Sequence, residues 1–163
     1  MIREKKELTF VQAKEKALRL LEFRSHSEKE LRDKLLRAGA KAEDLPEIFD
    51  FLREYSFVND NEYAKKLARD LQNLNKLGAR RIREELKSRG IYGEDLEEAM
   101  LELSDEESEQ LIPLMERKLS GNFEKKNIDR AIRYFAYRGY GFDDIKLAIE
   151  TVRGEALESD EDF

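Results

Sequence analysis

One pattern of apolar residues occurs three times along the chain, and this repetition limits the folds that the chain can adopt. A shift of 51 residues without gaps aligns 27–52 with 78–103, and a further shift of 49 residues reaches 127–152. Both shifts place apolar residues on apolar residues. Such a pattern predicts tandem copies of one small unit, stacked so that neighbouring copies share buried surface.

The matched positions also fix the helical phase of each copy. Within an aligned segment the apolar residues are grouped three or four residues apart, which is the spacing of one face of an α-helix. The matched sets are Leu31, Leu35, Leu45, Phe49 and Leu52; Ile82, Leu86, Leu96, Met100 and Leu103; and Ala131, Phe135, Ile145, Ile149 and Val152. Gly39, Gly90 and Gly139 take matching places after the first two apolar residues of each set, where a left-handed residue ends a helix.

Each copy is predicted to contain three helices. The first helices cover about 10–24, 60–74 and 105–119, and the middle helices begin at the N-cap residues Ser27, Gly78 and Asn127. Ser27 and Glu30 form a capping box, and Asn59 and Glu62 form a looser version of it. The third helices run for two to three turns from about Asp44, Glu94 and Asp143. Pro113 lies well inside one of the first helices, where we expect a kink or a later start.

The predicted fold is therefore all-α, with three tandem three-helix repeats in an elongated, curved body. The predicted division is an N-terminal tail (1–9), three repeats (10–57, 58–103 and 104–153) and an acidic C-terminal tail (154–163). Both tails are expected to be frayed.

Composition excludes several function classes. The chain has 163 residues, no cysteine and one histidine, so disulfides and thiolate metal sites are impossible. His26 precedes a helix, where packing or capping is expected rather than catalysis. The eight glycines are dispersed and form no phosphate-binding loop. No apolar run is long enough for a membrane span. We expect a non-enzymatic cytoplasmic protein without cofactor or metal, and a monomer.

Charge is distributed unevenly along the chain. Its net charge is -6, yet 58–92 holds nine basic and five acidic residues, whereas 93–109 holds nine acidic residues and no basic one. Nucleic acid responds to the local potential rather than to the total charge. The candidate residues for binding nucleic acid or an acidic protein surface are Lys65, Lys66, Arg69, Lys76, Arg80, Arg81, Arg83, Lys87, Arg89, Lys125, Lys126, Arg130, Arg133 and Arg138. Tyr134, Tyr137 and Tyr140 alternate with the last of these, and such surfaces suit phosphate contact and base stacking.

Four stretches in order resemble the RecX family, the regulators of the RecA recombinase. They are "ALRLLEFRSHSEKELRDKLLRAG", "FVNDNEYAKKLARD", "LGARRIREELKSRGI" and "IRYFAYRGYGFDDIKLAI", which together span about 13–152. The resemblance implies a body of three-helix repeats that lodges in the groove of the RecA–DNA filament. There it would dampen ATP hydrolysis, strand exchange and coprotease function. RecA and single- or double-stranded DNA are the implied partners, with bare DNA bound weakly. The acidity of 93–109 and of the tail matches no motif of that family.

Two other functions stay open on the residues alone. A stand-alone helical DNA-binding module would use Arg80–Arg89 as a groove-reading helix. The middle helix of the first copy is charge-balanced ("EKELRDKLLR"), which argues against repeated use of that mode. A helical protein–protein scaffold is the third possibility.

Overall fold

The chain folds into α-helices joined by short loops in a computed structural model that describes residues 6–105 and 107–161. These residues contain nine α-helices, a 3-10 turn at Ala42–Asp44 and no β-strand. The helices are α1 (Phe10–Phe23), α2 (Glu28–Ala38), α3 (Leu45–Glu54), α4 (Asp60–Asn73), α5 (Ala79–Ser88), α6 (Gly93–Leu101), α7 (Glu107–Leu119), α8 (Lys125–Tyr137) and α9 (Phe142–Glu161). The all-α prediction is confirmed. In the described part of the chain, no helix is both long and apolar enough to cross a membrane.

The contacts divide the chain into two compact units. Among the described residues, one unit comprises 6–67 and 86–99, and the other comprises 68–85, 100–105 and 107–161. Each unit has its own apolar core. The first core is built on Leu31, Leu35, Ile48, Phe49 and Leu52, and the second on Leu111, Met115, Leu119, Phe135 and Ile145.

The helix ends predicted at Ser27, Asn59, Gly39 and Gly90 are correct. The Ser27 side chain accepts a hydrogen bond from the Glu30 backbone N–H at 3.1 Å, and the Glu30 carboxylate accepts one from the Ser27 N–H at 3.5 Å. Asn59 accepts from the Glu62 N–H at 3.2 Å. The two glycines that follow α2 and α5, Gly39 and Gly90, have φ of 108° and 84°. Left-handed backbone therefore ends both helices, as predicted.

Three boundaries differ from the prediction. Helix α8 begins at Lys125, so Asn127 lies inside the first turn and its amide donates to Leu119 O and Asn122 O instead of capping. Helix α7 begins at Glu107 and includes Pro113, which removes one backbone donor from it. Helix α6 ends at Leu101, which leaves Leu103 beyond the helix and only half-buried.

The predicted frayed C-terminal tail is wrong for its described part. Helix α9 continues from Phe142 to Glu161, through Gly154. Glu, Ala and Leu dominate this stretch and favour helix, and they outweigh the cost of about 1 kcal/mol for one internal glycine. Residues 162–163 and 1–5, which complete the two predicted tails, lie outside the described residues.

A similar set of hydrogen bonds anchors the start of a middle helix in each unit. In the first unit, the Asp60 carboxylate accepts from the Glu28 N–H at 2.9 Å, and the Ser27 hydroxyl donates to Arg89 O at 2.6 Å. In the second unit, the Glu107 carboxylate accepts from the Ala79 N–H at 2.6 Å. Here the Gly78 N–H donates to Arg138 O at 2.9 Å. Each helix start is thus bound by a carboxylate and by a backbone oxygen just after another helix, and both come from residues farther along the chain.

Candidate nucleic-acid interface

Helix α5 presents its basic side chains because its apolar residues are committed to packing. Ile82 and Leu86 are fully buried, whereas Arg80 and Lys87 are exposed. An α-helix turns once every 3.6 residues. Arg80, two residues before Ile82, and Lys87, one residue after Leu86, therefore lie away from the buried face of α5.

The arginines of α5 are held by side chains of α5 itself and by α8. Arg80 pairs with Glu84 at 3.2 Å and donates to the backbone oxygen of Ala136. Arg81 pairs with Glu85 at 3.2 Å, and its guanidinium lies 5.0 Å from the centre of the Tyr137 ring. Exposed pairs four residues apart contribute only about 0.3–0.5 kcal/mol, so a phosphate can replace the carboxylate as partner. Arg83, another of the predicted binding residues on α5, is half-buried.

The basic side chains of α4 face the acidic residues of the predicted 93–109 segment. Within the first unit, Lys65 Nζ lies 3.6 Å from a Glu98 carboxylate oxygen. Within the second unit, Arg69 pairs with Glu102 at 3.0 Å. The acidic segment therefore neutralises part of the positive charge of α4. This gives a physical role to acidic residues that match no motif of the family. Lys66, on the same helix, is exposed and has no ion pair among the described residues.

Arg89 belongs to an internal network rather than to an outward face. Its guanidinium donates to the Tyr63 hydroxyl at 3.0 Å and lies 3.8 Å from a Glu30 oxygen. Burial alone would raise the pKa of Glu30, but hydrogen bonds from Tyr63 and Arg24 lower it below the usual value. This network orders α2, α4 and the end of α5, so we assign Arg89 a structural role.

Helix α8 carries the predicted basic surface of the third copy. Lys125, Lys126, Arg130 and Arg133 are exposed, and no ion pair joins them to other described residues. Arg138 is half-buried, and its guanidinium donates to Asn75 O and lies 5.7 Å from the centre of the Tyr134 ring.

Of the three tyrosines, Tyr134 and Tyr137 are exposed, but Tyr140 is buried at 2%. The Tyr140 hydroxyl donates to Lys76 O at 2.7 Å and accepts from the Gln110 amide at 2.9 Å. Tyr140 therefore supports the loop that carries Lys76, and it is not available for base stacking.

Sequence reasoning missed two basic residues in the last turn of α7, Arg117 and Lys118. Both are exposed, and Lys118 Nζ lies 4.0 Å from the centre of the Tyr134 ring. They do not recur in the other copies, so the repeat alignment gave no signal for them. Their position in the last turn of a helix, where cations complement the helix dipole, is the available sequence signal.

His26 is buried at 2% and packs as predicted. Its Nδ1 lies 2.9 Å from Arg24 O and its Nε2 lies 2.8 Å from Lys34 Nζ. A ring that donates from Nδ1 and accepts at Nε2 satisfies both neighbours, which requires the neutral form. Within 6–105 and 107–161, no three acidic or histidine side chains are grouped as a metal site would require.

Comparison with known proteins matches two three-helix domains to this chain and names a family. The family model "RecX, first three-helix domain" matches residues 13–52, and "RecX, second three-helix domain" matches residues 59–100. A protein named regulatory protein RecX from Clostridioides difficile is 34% identical over 145 residues, which is 86% of this chain and 68% of the relative. Its namesake from Vibrio parahaemolyticus is 33% identical and covers 90% of this chain and 95% of the relative.

Solved structures agree with the fold. The crystal structure of RecX from Lactobacillus salivarius has a TM-score of 0.77 at 22% identity, covering 88% of this chain and 96% of that one. A second crystal structure of a regulatory protein RecX has a TM-score of 0.78 at 19% identity, covering 86% and 73%. With both family models placed in order and relatives above 30% identity over most of its length, the chain belongs to the RecX family.

Proposed function

We propose that this protein binds the RecA–DNA filament and inhibits its ATPase, strand-exchange and coprotease activities. Membership in the RecX family, which the resemblance identifies as RecA regulators, is the observation that carries the proposal. A cytoplasmic location goes with this partner. We assign no catalytic role to any residue, in keeping with a regulatory family.

The proposed contact surface consists of basic side chains on α5 and α8. Arg80, Arg81 and Lys87 project from a helix whose apolar face is already buried. Lys125, Lys126, Arg130 and Arg133 are exposed on α8. A filament of RecA on DNA offers phosphates and acidic protein groups, and both suit these cations. Lys65, Arg69 and Arg89 contribute less, since carboxylates from distant segments of the chain hold them. Arg80 and Arg81 pair with residues one turn away on α5 itself, and pairs of that kind contribute little.

The test is inhibition of RecA ATPase on single-stranded DNA by the parent protein and by a variant with Arg80, Arg81 and Lys87 all changed to Glu. We expect inhibition by the parent and its loss in the variant, because reversed charge would face phosphates or acidic groups. Circular dichroism checks that the variant keeps its helices. A folded variant that inhibits as well as the parent would remove these three residues from the contact surface.

Two outcomes would favour the other functions. If the parent binds bare DNA as tightly as RecA-coated DNA and leaves the ATPase unchanged, a stand-alone DNA-binding module is the better description. If it binds a partner protein with no dependence on DNA or salt, it is a scaffold.

A further inference from the structure

The second unit contains an open cavity with a strongly one-sided charge. It has a volume of about 290 Å³ and is lined by the loop after α4, the C-terminal half of α7 and the C-terminal half of α8. Its lining residues are Asn75, Lys76, Leu114, Arg117, Lys118, Tyr134, Phe135 and Arg138. Four of them are cations, and no carboxylate is among these eight. In a chain with a net charge of -6, this is a local concentration of unneutralised positive charge.

The cavity is organised by buried groups behind it. Lys76 has a left-handed backbone with φ of 55°, which is unfavourable for a residue with a side chain. The buried Tyr140 hydroxyl binds Lys76 O at 2.7 Å, and the Arg138 guanidinium binds Asn75 O. Two successive carbonyls of this loop are therefore held by two residues that follow α8. This places the side chain of Lys76 at the cavity.

One wall of the cavity is apolar and aromatic. The Tyr134 ring is edge-on to the Phe135 ring, with 5.0 Å between ring centres. The Lys118 ammonium and the Arg138 guanidinium lie 4.0 and 5.7 Å from the centre of the Tyr134 ring. Leu114 continues this wall. A ligand that matches the cavity carries a compact anion beside a flat apolar group. A carboxylate side chain supplies the anion alone, whereas a nucleotide supplies both.

We propose that this cavity binds one nucleotide unit of single-stranded DNA. Its phosphate lies among Arg117, Lys118, Lys76 and Arg138, and its base lies against Tyr134 and Leu114. The volume of about 290 Å³ lies just below the range of about 300–1,000 Å³ for ligand sites, which suits a ligand as small as a single nucleotide. A base must be outside a duplex to reach the wall, so the unit is single-stranded. The choice of DNA over RNA rests on the proposed function.

The proposal is tested by fluorescence anisotropy with a labelled oligothymidylate. Reversal of two charges in the variant Arg117→Glu/Lys118→Glu is expected to weaken binding at least about tenfold and to flatten its salt dependence. Tyr134→Leu is expected to weaken binding about tenfold without changing the salt dependence, because stacking is lost. Tyr134→Phe keeps the ring and should bind like the parent.

The matched control is Arg37→Glu/Lys146→Glu. These two cations are exposed, lie outside the cavity and outside the proposed contact surface, and give the same change in net charge. The control is expected to bind within about threefold of the parent, since it removes no direct phosphate contact. Equal weakening by the control and the cavity variant would mean that only net charge matters, and the proposal would be wrong.

Competition identifies the source of the ligand. Thymidine monophosphate should displace the oligonucleotide at lower concentration than inorganic phosphate or an oligoglutamate peptide does. If the peptide displaces it best, the cavity takes an acidic protein segment and the proposal fails. If thymidine monophosphate binds as tightly as the oligonucleotide, the ligand is a free nucleotide instead of DNA. A parent protein that does not bind the oligonucleotide also overturns the proposal.

Parallel ATPase assays separate this proposal from the proposed function. If the cavity variants bind the oligonucleotide like the parent while the parent inhibits RecA, the cavity proposal fails and the proposed function stands. If the parent binds the oligonucleotide through the cavity and leaves RecA unaffected, the proposed function fails and the cavity proposal stands.

Discussion

At the scale of single residues, His26 combines burial with a fixed pattern of hydrogen bonds. Its Nε2 faces the Lys34 ammonium at 2.8 Å, so a second proton on the ring would oppose a positive charge. Burial lowers the pKa of His26 below its usual value of 6.5, and the nearby charges of Arg24 and Lys34 lower it further. Folding therefore favours the neutral ring.

This makes stability depend on pH in a defined direction. Between the lowered pKa of the folded state and about 6.5 in the unfolded state, the unfolded chain binds more protons. The contribution of His26 is fully present above about pH 7.5 and is lost as the pH falls through 6.5 towards the folded value. We expect the free energy of unfolding, measured by urea titration, to decline over this window.

The variant His26→Gln isolates this contribution, since glutamine has no proton to gain near neutral pH. It should be less stable than the parent at pH 8 but should show a flatter stability profile between pH 7.5 and 5.5. Profiles of equal slope in the parent and the variant would contradict a neutral buried His26.

At the scale of elements, the ends of the middle helices carry the strictest demands on sequence. Gly90 has a φ of 84°, and a Cβ built on it would lie 2.5 Å from the Lys29 Cβ. Gly139 has a φ of 102° and meets Arg81 and Gly78 in the same way. A glycine here thus provides both a left-handed backbone and a close approach between helices.

Replacement of Gly90 separates these two demands. Gly90→Val is expected to lower the free energy of unfolding by about 1–2 kcal/mol for the backbone alone, and by more because of the contact with Lys29. Gly93→Val is the matched control, because Gly93 has a φ of 60° but nothing within 4 Å of an added Cβ. Thermal and urea unfolding measure both variants. If Gly90→Val and Gly93→Val lower the stability equally, the close approach to Lys29 costs nothing.

The glycines and the Ser27 capping box could be predicted because they act through local backbone geometry, which the sequence specifies directly. The start of α8 could not, because Asn127 gives up its capping role for carbonyls at Leu119 and Asn122. The acceptors Asp60 and Glu107 were also missed as caps, since each binds a helix start 32 or 28 residues away. Burial raises the pKa of both carboxyls, a sign that tertiary packing placed them.

At the scale of the whole molecule, basic and acidic segments alternate along the chain, and the structure gives this alternation a partial explanation. Carboxylates of α6 and the residue after it pair with Lys65 and Arg69. Charge counts along the sequence located the basic stretches but could not tell a paired cation from an exposed one. The same limit hid Arg117 and Lys118, which become notable only when folding brings them beside Lys76 and Arg138.

Cations held by a distant segment of the chain can be distinguished from cations that are exposed or paired within α5 by the salt dependence of binding to single-stranded DNA. Each phosphate contact contributes about 0.7 to the slope of log affinity against log salt concentration. A variant with Arg80, Arg81 and Lys87 changed to Gln should lose about 2 from that slope, if each contacts a phosphate. The variant Lys65→Gln/Arg69→Gln should keep the slope of the parent, because Glu98 and Glu102 already hold those two cations. Melting temperatures of both variants control for folding.

An equal loss of slope in the two variants would mean that the internal ion pairs open on binding, so that α4 belongs to the contact surface together with α5. An unchanged slope in both would leave DNA contact to other parts of the chain, the α8 surface first among them.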